Sequence, residues 1–262
     1  MNILITGGNG YVARALHCGL QNKHDITSVG RKDFDLTKHD ATCEWFKDRQ
    51  FDVVIHTAVV GGSRLQIDDQ STIQQNLMMF YNLKANKSHF TKLINFGSGA
   101  ELFQPTTPYG ISKKLIADSI QEIRNWYNLR IFAVFDENEL PTRFIRSSLV
   151  RYINKEPLMI HTNKIMDFFY MKDLVTLVDH YISNNDLEKE INCSYDHKYT
   201  LHNIAKMIIS LDYHKVPIIL ENKKQLEFYC GENPKLPFET IGIHQGILDT
   251  FNTLSKIGSV RV

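Results

Sequence analysis

The sequence lacks the patterns typical of metal sites, disulfide scaffolds and membrane spans. Four cysteines lie apart without CxxC spacing, and eleven histidines show no HxH or HExxH pattern. Neither a zinc site nor a disulfide framework is therefore predicted. No apolar run reaches the roughly 18 residues of a membrane helix, and the N-terminus carries no secretory-signal pattern. We expect reduced thiols, no bound metal, no membrane partner and a cytoplasmic location.

An excess of charge is also lacking. Thirty Lys and Arg residues balance 29 Asp and Glu residues, which leaves a net charge of +1. A chain this close to neutral has no overall electrostatic footprint for nucleic acid, so no nucleic-acid partner is expected. Its 262 residues suffice for one or two domains with a sizeable core.

Short β-rich runs alternate with helical patterns along the first half of the chain. The strands are predicted at Asn2–Thr6, Asp25–Val29, Asp52–His56, Lys92–Phe96 and Arg130–Phe135. The helices between them are predicted at about 11–22, 38–50, 70–87 and 109–127, and later ones at 142–155, 171–184, 200–211 and 244–257. This alternation predicts an α/β fold with a doubly wound parallel sheet.

The rhythm loosens after residue 136, which suggests a second, smaller part of the chain. We predict a cofactor-binding domain over 1–140, to which 171–200 returns. Residues 141–170 and 201–262 would form a small C-terminal substrate lobe. No internal repeat or low-complexity linker divides the chain.

A glycine turn directly follows the first predicted strand and opens the first helix. Glycines in such a turn allow close backbone approach, and the new helix directs its positive dipole end at a pyrophosphate. Ala13 takes the place of the third glycine, where only a small residue is needed. The residues predicted to bind a dinucleotide here are Gly7, Asn9, Gly10, Tyr11 and Val12.

The second strand is followed by cations where an NAD site prefers an acidic residue. Arg31 and Lys32 suit the 2′-phosphate of NADP, so NADP is favoured and NAD is the less favoured cofactor. Asp35 and Leu36 follow and are predicted to border the adenine. The alternative is that Arg31 and Lys32 form only a solvated turn.

Tyr109 and Lys113 lie four residues apart at the start of a predicted helix, so they share one face. A nearby ammonium lowers the pKa of a phenol, which makes Tyr109 a competent proton donor to a carbonyl oxygen. Ser98 lies where the fourth strand should end, and parallel sheets bind ligands at that edge. Ser98, Tyr109 and Lys113 are the predicted catalytic residues, although the alignment of the serine segment leaves position 99 open.

Together these motifs resemble the extended short-chain dehydrogenase/reductases of the NAD-dependent epimerase/dehydratase family. The opening TGGNGYVA, the serine with YGISK, and the run DFFYMKDL at 167–174 carry the resemblance over about residues 1–175. It implies a Rossmann fold with Ser98, Tyr109 and Lys113 as the catalytic triad, and a lysine that also holds the nicotinamide ribose.

Three further segments look like the GDP-L-fucose synthase group of this family. They are DFDLT at 33–37, VVIHTAVVGG at 53–62 and QNLMM at 75–79. By that likeness Thr57, Ala58 and Val60 would line the cofactor, and Asn76 would support the site from its helix. The resemblance also implies a homodimer through the helices at about 70–87 and 109–127.

Several departures from the group narrow the expected chemistry. Its epimerisation uses a cysteine and a histidine, and residues 90–160 contain neither. A dehydratase would carry Thr-Asp-Glu at the serine segment, where only Glu101 is acidic. Met166 stands where the family often has a phosphate-binding arginine. Arg143 and Lys164 are the nearby cations, and the alternative for each is a surface ion pair, which is favoured for Lys164. Arg143 with Phe144 is the predicted substrate contact.

Simple ketone reduction requires only the cofactor, the tyrosine and the serine, so it remains compatible with these departures. We therefore expect NADPH-dependent reduction of a keto-sugar, a nucleotide-linked 4-keto-6-deoxy sugar in the first instance, with Tyr109 as the proton donor. Two alternatives stay open: a nucleotide-sugar epimerase that retains its NAD(P), and a non-catalytic NADP-binding sensor or scaffold. The substitutions at 133, 136 and 166 favour the last, whereas the intact Tyr109–Lys113 pair opposes it.

Overall fold

The computed structural model describes residues 1–63 and 67–257, apart from the side chains of 223–225. The chain divides into two compact units. The first comprises Met1–Ile131 and Val175–Ile191, and the second comprises Phe132–Leu174 and Asn192–Val262. The first division therefore falls after Ile131, earlier than the predicted boundary at 140. The chain returns to the first unit at Val175 and enters the second unit again at Asn192.

The strands and helices follow the predicted alternation closely. The strands are β1 Asn2–Thr6, β2 Asp25–Val29, β3 Phe51–His56, β4 Phe90–Ser98, β5 Trp126–Ile131, β6 Val134–Phe135, β7 Leu158–Met166, β8 Phe169–Tyr170, β9 Glu190–Cys193 and β10 Ile218–Tyr229. The helices are α1 Tyr11–Leu20, α2 His39–Phe46, α3 Gln70–Ala85, α4 Ala100–Phe103, α5 Pro108–Gln121, α6 Phe144–Ile153, α7 Met171–Ser183, α8 Leu201–Ile209 and α9 Gly242–Ile257.

The predicted bounds differ most from the structure between residues 109 and 135. The helix expected to reach 127 ends at Gln121, and the strand expected at 130–135 begins at Trp126 and ends at Ile131. The chain turns back at Asn125, whose φ of 60° is incompatible with a continuing helix. Trp126 and Tyr127 are then buried at 2% and 1% exposure. Burial of these two rings in a strand outweighs the helical spacing of Ile116, Ile120 and Ile123, which precede them.

The large sheet has the order β2-β1-β3-β4-β5-β9. Strands β1 to β5 pair in parallel, with Leu4 beside Thr27 on one side and Val54 on the other. The predicted doubly wound parallel sheet is thus confirmed. The connections reverse direction between β1 and β3, which makes the carboxyl ends of these two strands the expected ligand-binding crevice.

Each unit has its own apolar core. In the first, buried side chains of the central strands such as Ile5, Ile55 and Ile94 read as continuous apolar runs, because both faces of a parallel sheet are covered. In the second, β7 pairs with β10 and β6 with β8 in two small sheets. Phe168, Phe169 and Tyr170 are buried there at 3%, 0% and 1% exposure and form part of the core.

No helix in the described part of the chain is both long and apolar enough to span a bilayer. Over the same residues, His, Cys, Asp and Glu side chains form no group of three that could coordinate a metal ion.

Candidate active site

The glycine turn joins β1 to α1 at the crevice between β1 and β3. Gly7 has a φ of 71°, and a Cβ there would lie 2.7 Å from both Cα and N of Ala58. Gly10 N donates to Gly7 O at 2.8 Å and closes the turn. Gly10 is also the N-cap of α1 and offers no side chain to the amides of the first helical turn. The backbone thus fits a dinucleotide pyrophosphate, which needs close approach and amide donors.

A cleft of about 150 Å³ opens beside this turn in the first unit. Six of the residues predicted to bind cofactor line it: Gly7, Arg31, Asp35, Leu36, Ala58 and Val60. Phe34 and Met79 add apolar walls that suit an adenine. Lys32 is exposed on the same turn as Arg31, and Asn9 packs its amide nitrogen beside Gly30. Tyr11 and Val12 form the first turn of α1.

Asp35 is occupied by its own turn. Its carboxylate accepts hydrogen bonds from the Thr37 hydroxyl at 2.7 Å and the Thr37 amide at 3.0 Å. These bonds hold the pKa of Asp35 below its usual value, and the charge of Arg31 acts in the same direction. Asp35 therefore lines the cleft as an ionised carboxylate next to Arg31.

Asn76 supports the segment after β3 and does so through the backbone. Its Oδ1 accepts from Val60 N at 2.8 Å, and its Nδ2 donates to Val60 O at 2.9 Å. The same Nδ2 lies 3.0 Å from Ser112 Oγ on α5. The side chain is 2% exposed. Asn76 thus holds the backbone of Val60 to α3, and its support of a cofactor site stays a prediction.

Thr57 and His56 fix the carboxyl end of β3 to that of β1. Thr57 Oγ1 donates to Thr6 O at 2.6 Å, and Thr6 Oγ1 lies 2.9 Å from His56 Nδ1. Burial lowers the pKa of His56 to about 3, and the charge of Lys113 adds to that effect. His56 is therefore neutral at ordinary pH and serves as a hydrogen-bonding residue of the core.

Tyr109 and Lys113 lie on the first turns of α5. The helix begins there because Thr107 caps it, with its Oγ1 accepting from Gly110 N at 3.1 Å, and because Pro108 suits a first helical position. Lys113 Nζ lies 5.8 Å from the centroid of the Tyr109 ring. It donates to Phe96 O at 2.7 Å. The pair predicted from the sequence is thus adjacent at the edge of β4.

Burial decides the protonation of Lys113. The residue is 6% exposed. Burial lowers the pKa of Lys113 to about 8, and the carboxylate of Glu101 opposes this shift. The ammonium form still predominates at neutral pH, and it is the form that stabilises a neighbouring phenolate.

Ser98 is the last residue of β4 and is 9% exposed. Its Oγ accepts from Ala100 N at 3.2 Å, and its amide donates to Glu101 Oε1 at 2.7 Å. Glu101 in turn forms a buried ion pair with Arg130 Nε at 2.8 Å. Glu101 therefore holds the serine segment by accepting from the Ser98 amide, and the ion pair with Arg130 holds Glu101. Sequence spacing did not reveal this role, since Arg130 is 29 positions away.

Arg143 and Phe144, the predicted substrate contacts, belong to the second unit. Arg143 is the N-cap of α6 and Phe144 is its first residue. Nearby, Glu139 is 4% exposed, and burial raises its pKa to about 8 while the charge of Arg143 opposes that shift. Lys164 forms an ion pair with Glu227 at 3.1 Å, as the alternative for that residue predicted.

Several residues that line the cleft or surround Tyr109 were not predicted from the sequence. Phe34, Val59 and Met79 line the cleft, and Gly62 lies against the ring of Tyr109. All four fall within the segments quoted for the resemblance, but only the fold brings Gly62 to a residue 47 positions later; spacing along the chain carries no signal of that contact.

Comparison with known proteins agrees with this architecture. A model described as the NAD dependent epimerase/dehydratase family matches residues 3–194. The chain belongs to this family. The resemblance noted from the sequence motifs is therefore confirmed, and with it a Rossmann-type fold. A search of curated protein sequences found no match.

Solved structures share the fold of this family member at low sequence identity. A GDP-mannoheptose C4 reductase from Campylobacter jejuni with NADP bound is 17% identical, with a TM-score of 0.80 over 97% of this chain and 98% of that one. A UDP-glucose 4-epimerase from Thermus thermophilus in complex with NAD is 18% identical, with a TM-score of 0.78 and coverage of 99% and 100%.

A GDP-L-fucose synthetase from Naegleria fowleri bound to NADP is similar in the same way. It is 16% identical, with a TM-score of 0.76 over 97% of this chain and 92% of that one. The similar structures thus include reductases and epimerases, with NADP in some and NAD in others.

Proposed function

We propose that this family member is an NADPH-dependent reductase of a nucleotide-linked keto-sugar, a 4-keto-6-deoxy sugar in the first instance. The observation that carries the proposal is the Tyr109–Lys113 pair on α5, in the same unit as a glycine turn that fits a dinucleotide. The similar structures described as reductases and as NADP-bound support it.

Bound NADPH would supply the hydride that reduces the ketone carbon. Tyr109 would donate its phenolic proton to the carbonyl oxygen as negative charge develops there. Ser98, at the end of β4, would donate a hydrogen bond to the same oxygen. Each of these groups acts on charge that appears only in the transition state, so each is expected to affect kcat more than KM.

Lys113 has two parts in this scheme. Its ammonium favours the phenolate left on Tyr109, which lowers the energy of proton donation. Its place beside β4 would also let it hold the nicotinamide ribose, as the family resemblance implies. A pKa of about 8 keeps most of the lysine protonated at neutral pH, which both parts require.

The preference for NADPH rests on Arg31 and Lys32. Arg31 lines the cleft and Lys32 is exposed beside it, so both can reach a 2′-phosphate. Asp35 is the nearest acidic residue to line the cleft, and its carboxylate is engaged by Thr37. This arrangement favours the 2′-phosphate of NADP. The free 2′-hydroxyl of NAD would instead donate a hydrogen bond to an acidic residue.

Three further features belong to the proposal. Arg143 and Phe144 would contact the nucleotide sugar. Two copies would associate through α3 and α5, where Met78, Tyr81 and Leu115 are exposed at 38%, 45% and 43%. The protein would act in the cytoplasm, in line with its scattered cysteines.

The proposal is tested by following NADPH oxidation with a panel of 4-keto nucleotide sugars, with NADH in parallel. We expect turnover with NADPH, and at least about a 10²-fold loss of kcat in Tyr109→Phe, because the general acid is removed while the ring is kept. Tyr213→Phe, a fully exposed tyrosine outside the site, is the matched control.

The outcomes separate the alternatives. Turnover of a nucleotide sugar without net NADPH consumption would point to an epimerase. Cofactor binding without turnover of any keto-sugar would point to a sensor or scaffold. Full activity in Tyr109→Phe would exclude Tyr109 as the proton donor.

A further inference from the structure

The segment that follows β3 is held at two points, one on α3 and one just before that helix. The first anchor is Asn76, which makes two hydrogen bonds to the backbone of Val60 at 2.8 and 2.9 Å. The second is Asp68, just before the helix. Both of its carboxylate oxygens accept from Gly62 N at 3.1 Å. The stretch Val60–Gly62, which we call the glycine strip, is therefore held at both ends.

The glycine strip lies directly against Tyr109. A Cβ built on Gly62 would be 2.7 Å from Tyr109 Cζ and 2.9 Å from Cε1 and Cε2. No side chain can occupy that space, so the backbone of Gly62 packs on the ring itself. Cζ is the ring carbon that carries the hydroxyl. The contact is thus made at the end of the ring that would exchange a proton.

Gly61 shows that the strip is confined on its other side as well. A Cβ there would be 2.4 Å from Asp68 Oδ1 and 2.6 Å from Thr72 Cγ2. Both glycines have positive φ, 84° and 70°, a region that other residues rarely adopt. Glycine is therefore required at both positions for two reasons. The backbone has a positive φ, and a side chain at either residue would overlap its neighbours.

The helix that carries Tyr109 is tied to the same anchors. Asn76 Nδ2 donates to Ser112 Oγ at 3.0 Å, and Ser112 Oγ donates to Tyr109 O at 2.8 Å. The Gly62 backbone packs on the phenol end of the ring, and the hydrogen bonds to Asp68 fix the position of Gly62. A displacement of about 1 Å at a reacting group can lower a rate about 10²-fold.

We propose that Asp68 is a positioning residue for Tyr109. Its carboxylate holds the amide of Gly62, and Gly62 in turn holds the phenol end of the ring where a carbonyl oxygen can receive the proton. This inference rests on the proposed function, in which Tyr109 is the proton donor. Asp68 itself touches the backbone of the strip and has no part in the chemistry.

The test uses the full-length protein labelled with 3-fluorotyrosine and observed by ¹⁹F NMR. The chain has 11 tyrosines, and the signal missing from Tyr109→Phe identifies Tyr109. In Asp68→Ala we expect this signal to shift and broaden and the pKa of Tyr109, titrated through it, to change. We also expect kcat for keto-sugar reduction to fall about tenfold, with KM for NADPH within about twofold of wild type.

Asp69→Ala is the matched control. Asp69 is the neighbouring carboxylate, but it caps α3, accepting from Ser71 N at 2.8 Å. Its loss should lower the melting temperature and leave the Tyr109 signal and kcat unchanged. Asp68→Asn keeps an oxygen acceptor for Gly62 N without the charge, so it should restore most of both readouts.

Gly62→Ala provides a second route if Asp68→Ala does not fold. Its added methyl group must displace the ring, so the Tyr109 signal should shift further than in any Asp68 variant. A Tyr109 signal and kcat unchanged in Asp68→Ala would overturn the proposal, as would equal effects in Asp69→Ala. If no keto-sugar is reduced by the wild type, the proposed function fails, while the NMR comparison still decides whether Asp68 positions Tyr109.

Discussion

Glu101 of the first unit and Glu139 of the second are both buried glutamates, at 3% and 4% exposure, but they are satisfied differently. Glu101 accepts from Arg130 and from the Ser98 amide, so both oxygens have partners. Glu139 Oε2 has no hydrogen-bond partner among the described residues, and neither has Arg146 Nε nearby. Burial raises the pKa of both carboxyls, and for Glu101 the charge of Arg130 opposes that shift most strongly.

The two glutamates show two ways in which a carboxyl group is kept in the interior, with a paired cation or without charge. In the first unit a buried ion pair underlies the end of β4, where the catalytic serine is predicted. A charge kept in the interior needs such a partner. In the second unit the acid is neutral at pH 7 because its pKa is raised to about 8. A neutral carboxyl needs no cation, but it makes the unit sensitive to pH.

The largest effect is expected from breaking the first unit's ion pair. Arg130→Met leaves Glu101 buried without its cation, and we expect the free energy of unfolding to fall by about 3–5 kcal/mol. Chemical denaturation followed by circular dichroism measures it. The matched variant in the second unit is Lys198→Met, which removes the 2.8 Å partner of Asp167 but leaves the 2.7 Å bond from Gly231 N. There we expect about 1.5–3 kcal/mol.

The double variant Glu101→Gln/Arg130→Met checks the cause. It removes both charges and keeps an oxygen for the Ser98 amide, so it should recover part of the loss. A double variant as unstable as Arg130→Met alone would show that packing of the arginine, and not the uncompensated charge, is responsible.

The next effect concerns pH and the second unit. Below about pH 4.5 Glu139 is neutral in both the folded and the unfolded chain. Between about 4.5 and 8 the unfolded chain releases the proton while the folded one keeps it, so stability falls as pH rises. Relative to Glu139→Gln, which cannot titrate, wild type should lose on the order of 3 kcal/mol across this range.

Denaturation curves of wild type and Glu139→Gln at pH 5, 6, 7 and 8 provide the measurement, with pH values chosen within that window. A difference between the two proteins that stays constant with pH would mean that Glu139 is ionised in the folded chain, and the contrast with Glu101 would disappear.

The smallest effects are expected at Arg31 and Arg143, the two arginines proposed to bind ligands. Arg31→Ala should raise KM for NADPH about tenfold, equivalent to about 1.4 kcal/mol, and leave KM for NADH unchanged. Arg143→Ala should raise KM for the nucleotide sugar by a similar factor without changing that for NADPH. Steady-state kinetics with each substrate varied gives both values. An Arg31 variant that affects NADH and NADPH equally would contradict the assignment to the 2′-phosphate.

The comparison also shows how far sequence patterns extend. In the first unit, strand ends carry the predicted residues, and the order of strands brings Gly7 and Ala58 together because β1 and β3 are neighbours in a parallel sheet. The predicted helix to 127 failed because two aromatic rings gain more from burial in β5 than from extending α5. In the second unit periodicity predicted the helices, but it did not predict the pairing of β7 with β10, strands of 9 and 12 residues that lie more than 50 positions apart.

Four features follow from local sequence, because each depends on residues close together in the chain: the alternation of strands and helices, the glycine turn, the cations after β2 and the Tyr109–Lys113 spacing. Which charges are paired, as with Glu101 and Arg130, depends on the packed fold. The same holds for the backbone that packs on Tyr109, which is that of Gly62. Such contacts join residues separated by tens of positions, and they form only where the sheet brings distant strand ends to one edge.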